Sequence, residues 1–317
     1  MFFLFFLSLF LTTSLHALPG NAAPLVANKR AIDTSLLQTF RLMSQYASAA
    51  YCSNNFNSPG DQIQCGSGNC PLVEQADSAT VLEYSKTETL TDVTGFVAIN
   101  HTNRAIIISF RGSQSIDNWL TNFDFGFTNT DICPDCTAHS GFWNSWVDAR
   151  TTVLPAVKAA STQYPSYRIS VTGHSLGGAI APIAAAQLRN QGLNASLYTF
   201  GSPRISGPKL SSYISNQAGG NYRVTHWNDP VPKLPLVTMG YVHISPEYYI
   251  NKKNKVAITE KDFQIYNGAV NWRGNSAWLI TDIEAHRWYF TQMYTCADAK
   301  IRRGVTMLEG VDVVAKF

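Results

Sequence analysis

A glycine-flanked serine lies between an apolar run and an alanine-rich run, and this arrangement constrains the fold more than any other part of the sequence. The pentapeptide Gly-His-Ser-Leu-Gly occupies 173–177, after the run 167–172 and before the run 179–188. The first run is typical of a short buried strand, and apolar residues recur at helical spacing in the second. The sequence therefore predicts a nucleophile elbow, a sharp strand-to-helix turn that exposes the hydroxyl of Ser175.

Other apolar runs along the chain alternate with helix-like segments. Strand-like runs occupy 95–99, 105–110, 196–200 and 222–225, and helical patterns occupy 141–163, 179–190 and 207–216. Strands that alternate with helices imply a mainly parallel sheet with helices on both faces. Because no repeat or linker interrupts 31–296, we expect a single α/β domain over this range, followed by a short tail at 297–317.

The amino-terminal segment is predicted to be removed. Residues 1–11 are almost wholly apolar, but a bilayer span needs about 20 such residues, so a cleaved secretory signal over 1–22 is favoured over an anchor. Both Ala17 and Ala22 are suitable cleavage points. The dibasic pair at 29–30 predicts a propeptide over 23–30 and a mature, extracellular chain that starts at Ala31.

The net charge gives no indication of a polyanionic partner. The full chain carries +3, but removal of 1–30 leaves a charge near +1 because Lys29 and Arg30 are lost. We therefore expect neither nucleic-acid binding nor strong attraction to anionic surfaces.

Six cysteines suit an oxidising compartment. The spacing within Cys65/Cys70 and within Cys133/Cys136 suits small local loops, which would leave Cys52 to pair with Cys296, although six cysteines allow 15 pairings. The Cys133–Cys136 stretch also matches half of a redox or zinc site. The secretory context favours a structural bridge there.

Two sequons for N-linked glycosylation occur, at Asn100 and Asn194. The first lies in a polar break between two strand-like runs. Such a break is typical of an exposed hairpin turn, which tolerates a glycan.

A serine hydroxyl needs a base to take its proton and an acid to hold that base, and in hydrolases with an elbow the acid and then the histidine follow the serine along the chain. Asp229 is the favoured acid, because it closely follows the strand-like run 222–225 and precedes a proline. His243 lies in an apolar, strand-like stretch, whereas His286 ends a loop before a predicted helix start at 288–290. Loop placement favours His286 as the base, but periodicity leaves both open. His174 is expected to pack or hydrogen-bond under the turn.

The same chemistry needs N–H donors for an oxyanion. Leu176 supplies one because it follows the serine, and Ser113, after the strand-like run 105–110, is the best second candidate. Directly afterwards, the segment 115–123 places Ile116, Trp119 and Leu120 on one face of a short amphipathic helix. This helix is either a lid over the serine or an ordinary helix that faces the core.

Several motifs in this order resemble those of the filamentous-fungal class 3 lipases, which include the Thermomyces and Rhizomucor triacylglycerol lipases and the fungal mono- and diacylglycerol lipases. The resemblance covers 39–296. It rests on the segments 49–52 (AAYC), 110–113 (FRGS), 116–119 (IDNW), 173–178 (GHSLGG), 225–232 (THWNDPVP) and 285–290 (AHRWYF). Trp227 and the tail after Cys296 depart from the family pattern, which leaves the acyl or headgroup preference open.

The resemblance implies an α/β-hydrolase-like fold and a secreted serine hydrolase that cleaves acylglycerol esters at a lipid–water interface, without a metal or cofactor. It implies a triad of Ser175, Asp229 and His286, an oxyanion hole of Ser113 and Leu176, and a mobile lid at 116–122. It also implies the bridges Cys52–Cys296, Cys65–Cys70 and Cys133–Cys136. We expect a monomer with transient lipid contact and no transmembrane span in the mature chain.

Four alternatives remain at this stage. The stretch 239–244 looks more like the partial-glyceride lipases, and related secreted enzymes with C-terminal extensions include phospholipases of the A1 type. Feruloyl esterases share the scaffold, but the apolar side chains at 116, 119 and 120 argue against that activity. The fourth is a non-catalytic lipid-binding protein, which the presence of all three triad residue types disfavours.

Overall fold

An eight-stranded sheet forms the centre of the computed structural model, which describes residues 32–85, 91–116 and 125–297. Its strand order is β1-β2-β3-β6-β7-β8-β9-β10, in which neighbours from β3 to β9 are parallel and the outer pairs β1–β2, β2–β3 and β9–β10 are antiparallel. The strands are β1 Ser78–Tyr84, β2 Gly95–Asn100, β3 Ala105–Phe110, β6 Arg168–His174, β7 Ala195–Phe200, β8 Asn221–His226, β9 Glu247–Ile250 and β10 Phe263–Tyr266. Two hairpins lie outside the sheet, β4 Phe127–Asn129 with β5 Thr137–His139, and β11 Trp288–Tyr289 with β12 Thr291–Gln292.

Helices cover both faces of this sheet. They are α1 Thr34–Ala49, α2 Pro71–Glu74, α3 Ser140–Gln163, α4 Leu176–Asn190, α5 Pro208–Asn216 and α6 Ile283–His286. Strand β3 is buried along its whole length, and its side chains alternate between two apolar clusters: Ile106 and Ile108 pack with α3 and α4, whereas Ile107 packs with α1. A strand buried on both faces explains the continuous apolar run in the sequence.

The predicted mainly parallel α/β sheet with helices on both faces is confirmed, and the five predicted strands and the helices predicted at 141–163, 179–190 and 207–216 begin within three residues of the observed ones. The predicted helix start at 288–290 is wrong, because Trp288–Tyr289 pairs with Thr291–Gln292 as a hairpin. Helix α1 was not predicted. No described helix has both the length and the apolar character that a membrane crossing requires. The predicted signal and propeptide, the segment 117–124 with Trp119 and Leu120, and the tail from 298 lie outside the described residues.

The structure argues against glycosylation at Asn100. This side chain is fully buried at the end of β2, where its amide nitrogen donates to the Tyr46 hydroxyl at 2.7 Å and its oxygen accepts from the backbone N–H of Asn103 at 2.8 Å. A glycan attached to the amide nitrogen has no room at this fully buried position. Asn194 is exposed, so its glycosylation stays a prediction.

Three disulfide bridges join Cys52 to Cys296, Cys65 to Cys70 and Cys133 to Cys136. The first spans 244 residues, whereas the third spans 3. Since a cross-link removes more disorder from the unfolded chain when its loop is longer, the bridges are expected to differ in their effect on stability.

We predict that Cys52→Ser/Cys296→Ser lowers the free energy of unfolding by up to about 5 kcal/mol, the chain-entropy value for such a long loop. Urea unfolding of the purified protein measures this change. Cys133→Ser/Cys136→Ser is the matched control and should cost about 2 kcal/mol or less on the same basis. Equal losses in the two double variants would contradict the argument from loop length.

Candidate active site

The predicted elbow is present as a turn between β6 and α4. Ser175 has φ 58° and ψ −125°, a strained conformation for a residue with a side chain. A Cβ atom on Gly173 would lie 2.3 Å from the carbonyl carbon of Gly177, and one on Gly177 would lie 2.1 Å from the carbonyl oxygen of Phe110. Only glycine fits at either position, so these two residues allow the turn to close.

Asp229 lies just after β8 and is fully buried with three side-chain or backbone donors around its carboxylate. The Nδ1 atom of His286 is 2.9 Å from Oδ2 and 3.0 Å from Oδ1, the Tyr289 hydroxyl donates to Oδ2 at 2.6 Å, and the Val231 N–H donates to Oδ1 at 2.8 Å. Because a carboxylate accepts only, His286 carries its proton on Nδ1 and presents Nε2 as an acceptor. Burial, followed by the Asp229 charge, raises the pKa of Tyr289 well above its usual value, so this hydroxyl keeps its proton as a donor.

The structure also separates the two candidate histidines. The Nε2 atom of His243 lies 2.7 Å from the carbonyl oxygen of Pro232, and this histidine makes no contact with Asp229 in the hydrogen-bonding pattern of the described residues. His286 closes the short helix α6, where Asp282 caps the first turn by accepting from the Glu284 N–H. The structure therefore brings His286, and not His243, to Asp229.

The end of β7 brings the serine and the Asp229–His286 pair to one place. The backbone N–H of Ser175 donates to the Phe200 carbonyl at 3.0 Å. The next residue, Gly201, has φ +60°, and a Cβ atom there would lie 2.9 Å from both Asp229 Oδ2 and His286 Nδ1. Ser175 Oγ and His286 Nε2 are both buried and have no hydrogen-bond partner among the described residues. The serine hydroxyl and the imidazole nitrogen that faces away from Asp229 are therefore both free to engage a substrate.

A second buried polar group lies directly beneath the turn. The Nε2 atom of His174 is 2.8 Å from the His286 carbonyl and its Nδ1 is 2.8 Å from the Tyr51 hydroxyl, in agreement with the expectation that His174 hydrogen-bonds under the turn. Burial, and then the nearby His286, lowers the pKa of His174 well below its usual value, so the ring is neutral. Since a carbonyl only accepts, Nε2 donates, and Nδ1 accepts from Tyr51.

The candidate oxyanion donors lie on two neighbouring segments. Leu176 opens α4, and the first N–H groups of a helix have no intrahelical acceptor. Ser113 is half-buried, and its carbonyl accepts from the Tyr294 hydroxyl. Between Ser113 and β3, a Cβ atom on Gly112 would lie 2.7 Å from the His174 carbonyl oxygen. This close approach holds the Ser113 segment against the elbow.

The apolar segment that follows Ser113 is described only at its start. Ile116 is buried and packs into the cluster on the α1 side of the sheet. Its predicted partners on the amphipathic face, Trp119 and Leu120, lie outside the described residues.

Sequence reasoning assigned no role to Tyr51, Tyr289, Tyr294 or Asn275, although the first two lie in the segments that carry the resemblance. Asn275 Nδ2 donates to the carbonyls of Trp227 at 3.1 Å and Asp229 at 2.9 Å, so it fixes the backbone of the acid loop. Tyr51 and Tyr289 could have been found from their places next to Cys52 and close to His286, within the segments that carry the resemblance. Asn275 gave no signal, because its contact spans 46 residues of sequence.

We predict that the free energy of unfolding falls as the pH drops below about 6.5, the pKa of an unfolded histidine. Burial lowers the pKa of His174, His226 and His243 in the folded chain. Below pH 6.5 the unfolded state therefore binds protons that the folded state does not, at about 1.4 kcal/mol per histidine and pH unit. Urea unfolding at several pH values measures the slope.

His243→Gln keeps a donor for the Pro232 carbonyl but does not titrate, so the slope should become shallower in this variant. Ser212→Ala, at an exposed serine on α5, removes no titrating group and is the control, so its slope should match that of the wild type. An unaltered slope in His243→Gln would count against the burial argument.

Comparisons with known proteins agree with this geometry. The family model described as lipase (class 3) matches residues 107–239, and the lipase 3 N-terminal region matches residues 2–83. The secreted mono- and diacylglycerol lipase A of Penicillium cyclopium is 43% identical over 292 residues, which is 90% of this chain and 95% of the relative.

Two solved structures extend the comparison to three dimensions. The mono- and diacylglycerol lipase from Aspergillus oryzae has a TM-score of 0.79 and 43% identity, over 83% of this chain and 100% of the other. A triacylglycerol lipase whose catalytic centre is formed by a serine protease triad has a TM-score of 0.74 and 28% identity, over 84% of this chain and 99% of the other. With 43% identity over nearly the whole length of a curated relative, the chain belongs to the class 3 lipase family.

Proposed function

We propose that the protein is a secreted serine hydrolase that cleaves the carboxylic esters of acylglycerols, as a lipase of the triacylglycerol type. The observation that carries this proposal is the pairing of His286 Nδ1 with Asp229, together with the unpartnered Nε2 and Ser175 Oγ atoms in the same buried site. An acid that orients an imidazole toward a serine is the arrangement of a serine hydrolase. The triad named for the related triacylglycerol lipase is of the same kind.

In the proposed reaction, His286 Nε2 takes the proton of Ser175 while Oγ attacks the ester carbonyl carbon. The negative charge that develops on the carbonyl oxygen is stabilised by the N–H groups of Ser113 and Leu176. His286 then gives its proton to the departing glycerol oxygen, and an acyl-enzyme remains. Water attacks this ester with the same histidine as base, which releases the fatty acid and restores the serine.

The substrate class follows from the relatives. The Penicillium cyclopium relative is a mono- and diacylglycerol lipase, and the Aspergillus oryzae structure belongs to an enzyme of the same name. Partial glycerides are therefore the second candidate substrates for this chain. The family resemblance at 239–244 supports the same alternative.

Secretion has three supports. The chain begins with the apolar segment expected of a secretory signal, and its Penicillium relative is named as secreted. All six cysteines are paired, which suits an oxidising compartment. We infer cleavage of 1–22 and 23–30 and a mature catalytic domain over 31–296.

Contact with lipid is the remaining part of the proposal. An apolar helix face at 116–122, with Trp119 at its centre, would cover the serine in water and turn toward an oily phase at an interface. The protein would bind such a surface transiently and act as a monomer.

Ser175→Ala is expected to abolish tributyrin hydrolysis, because kcat without the nucleophile is roughly 10⁶-fold lower than in the wild type for serine hydrolases with such a triad. An organophosphonate should label the wild type at one site per chain and leave Ser175→Ala unlabelled. Ser212→Ala, at an exposed serine on α5, is the control and should keep both activity and labelling. Full activity in Ser175→Ala would refute the proposed mechanism.

Tyr289→Phe removes one of the donors to Asp229 and leaves the ring in place. Since a hydrogen bond to a charged group is worth about 1.5 kcal/mol or more, we expect kcat/KM for a soluble ester to fall about tenfold or more. Tyr213→Phe is the matched control, because this exposed hydroxyl bonds only to Asn190 on the surface of the described structure. Equal kcat/KM in the two variants would show that Tyr289 has no part in supporting the acid.

A further inference from the structure

The loop that leads into α6 exposes an unusual set of apolar side chains. Leu279 is 99% exposed, Ile280 80% and Trp272 68%, which are the largest exposed fractions of any large apolar side chains among the described residues. Val270 is exposed as well. We call Val270, Trp272, Leu279 and Ile280 the loop apolar surface. Large exposed apolar side chains grouped on one loop mark a candidate interaction site.

The loop is fixed, so the exposure is part of the folded structure. The Trp278 ring packs on Trp227 with ring centroids 4.3 Å apart, and its Nε1 donates to the Tyr249 hydroxyl at 2.7 Å. Lys233 Nζ donates to the Trp278 carbonyl, and Asn228 Nδ2 donates to the Ile280 carbonyl at 3.3 Å. These bonds hold the backbone beside Leu279 on both sides and leave the side chain in water.

The same bonds place the loop apolar surface beside the site. Asn228 immediately precedes Asp229, and its carbonyl also accepts from the N–H of Asp282, which caps the helix that ends at His286. Leu279 and Ile280 therefore lie beside the segment that carries the acid and directly before the segment that carries the base. Leu236 and Met239, on the chain that follows Lys233, are exposed as well.

Charge favours an uncharged, oily occupant. Between Asp262 and Asp282 the sequence carries a single charged residue, Arg273. A partner recognised by ion pairs would meet almost no charge in this stretch, whereas acyl chains need none. Four exposed apolar side chains would recover their transfer free energy on entering such a phase.

We propose that the loop apolar surface is a permanent lipid-docking surface, which inserts into the acyl layer of the substrate and seats the active site at the interface. The proposal requires no movement of these four side chains, because they are already exposed in the folded structure. The inference rests on the proposed acylglycerol hydrolysis and goes beyond it by assigning the contact to a named loop.

The test measures partition onto phosphatidylcholine vesicles that contain diolein, with Ser175→Ala as the background so that the lipid is not consumed. Leu279→Ser/Ile280→Ser should weaken partition about tenfold or more, since two aliphatic side chains no longer enter the bilayer. Leu279→Trp should strengthen it. High salt should leave the partition of the background protein nearly unchanged, because almost no charge takes part.

Val81→Ser is the matched control, because Val81 is 48% exposed on the edge strand β1 at the other end of the sheet, and its partition should equal that of the background. Unchanged partition in Leu279→Ser/Ile280→Ser, or an equal loss in Val81→Ser, would overturn the proposal. So would a dimer in light scattering that this double variant dissociates, because the surface would then bind a second copy. Hydrolysis of soluble p-nitrophenyl butyrate by the wild type tests the proposed function separately. No turnover of this ester would refute the proposed hydrolase activity and would leave the result on vesicle binding unaffected.

Discussion

The buried contact between Asp229 and His286 is the interaction on which the rest of the site depends. Burying a carboxylate away from water costs free energy unless hydrogen-bond donors surround it. Here the donors are the imidazole, the Tyr289 hydroxyl and the Val231 N–H. These donors come from two separate segments of the chain. The pair therefore forms only when β8 and α6 meet. The fold as a whole thus decides which ring nitrogen of His286 carries the proton and which one faces away from Asp229 as an acceptor.

The contacts beneath the elbow make the site depend also on the segment that directly follows the amino-terminal helix α1. Tyr51 donates to His174 under the turn and packs against Tyr294, whose hydroxyl holds the Ser113 carbonyl. The bridge from Cys52 to Cys296 ties the two tyrosine segments together. One covalent link across 244 residues thus fixes the base of the turn and the proposed oxyanion segment at once.

What the sequence predicted well was local. The turn at Ser175 could be predicted because the glycines that permit it are its neighbours, and the parallel strands could be predicted because burial on both faces leaves a continuous apolar run. The choice between His243 and His286 could not be made from periodicity, since the contact with Asp229 crosses 57 residues. Asn100 looked exposed for the same reason: its partner Tyr46 is 54 residues away, on a helix that had not been predicted.

The most direct measurement is a crystal structure of the protein inhibited by an alkyl phosphonate. The account predicts a covalent bond from phosphorus to Ser175 Oγ, His286 Nε2 at about 3 Å from that oxygen, and the phosphonyl oxygen within the same distance of the Ser113 and Leu176 N–H groups. A phosphonate on another residue, or an imidazole at 286 that points away from the modified serine, would contradict it.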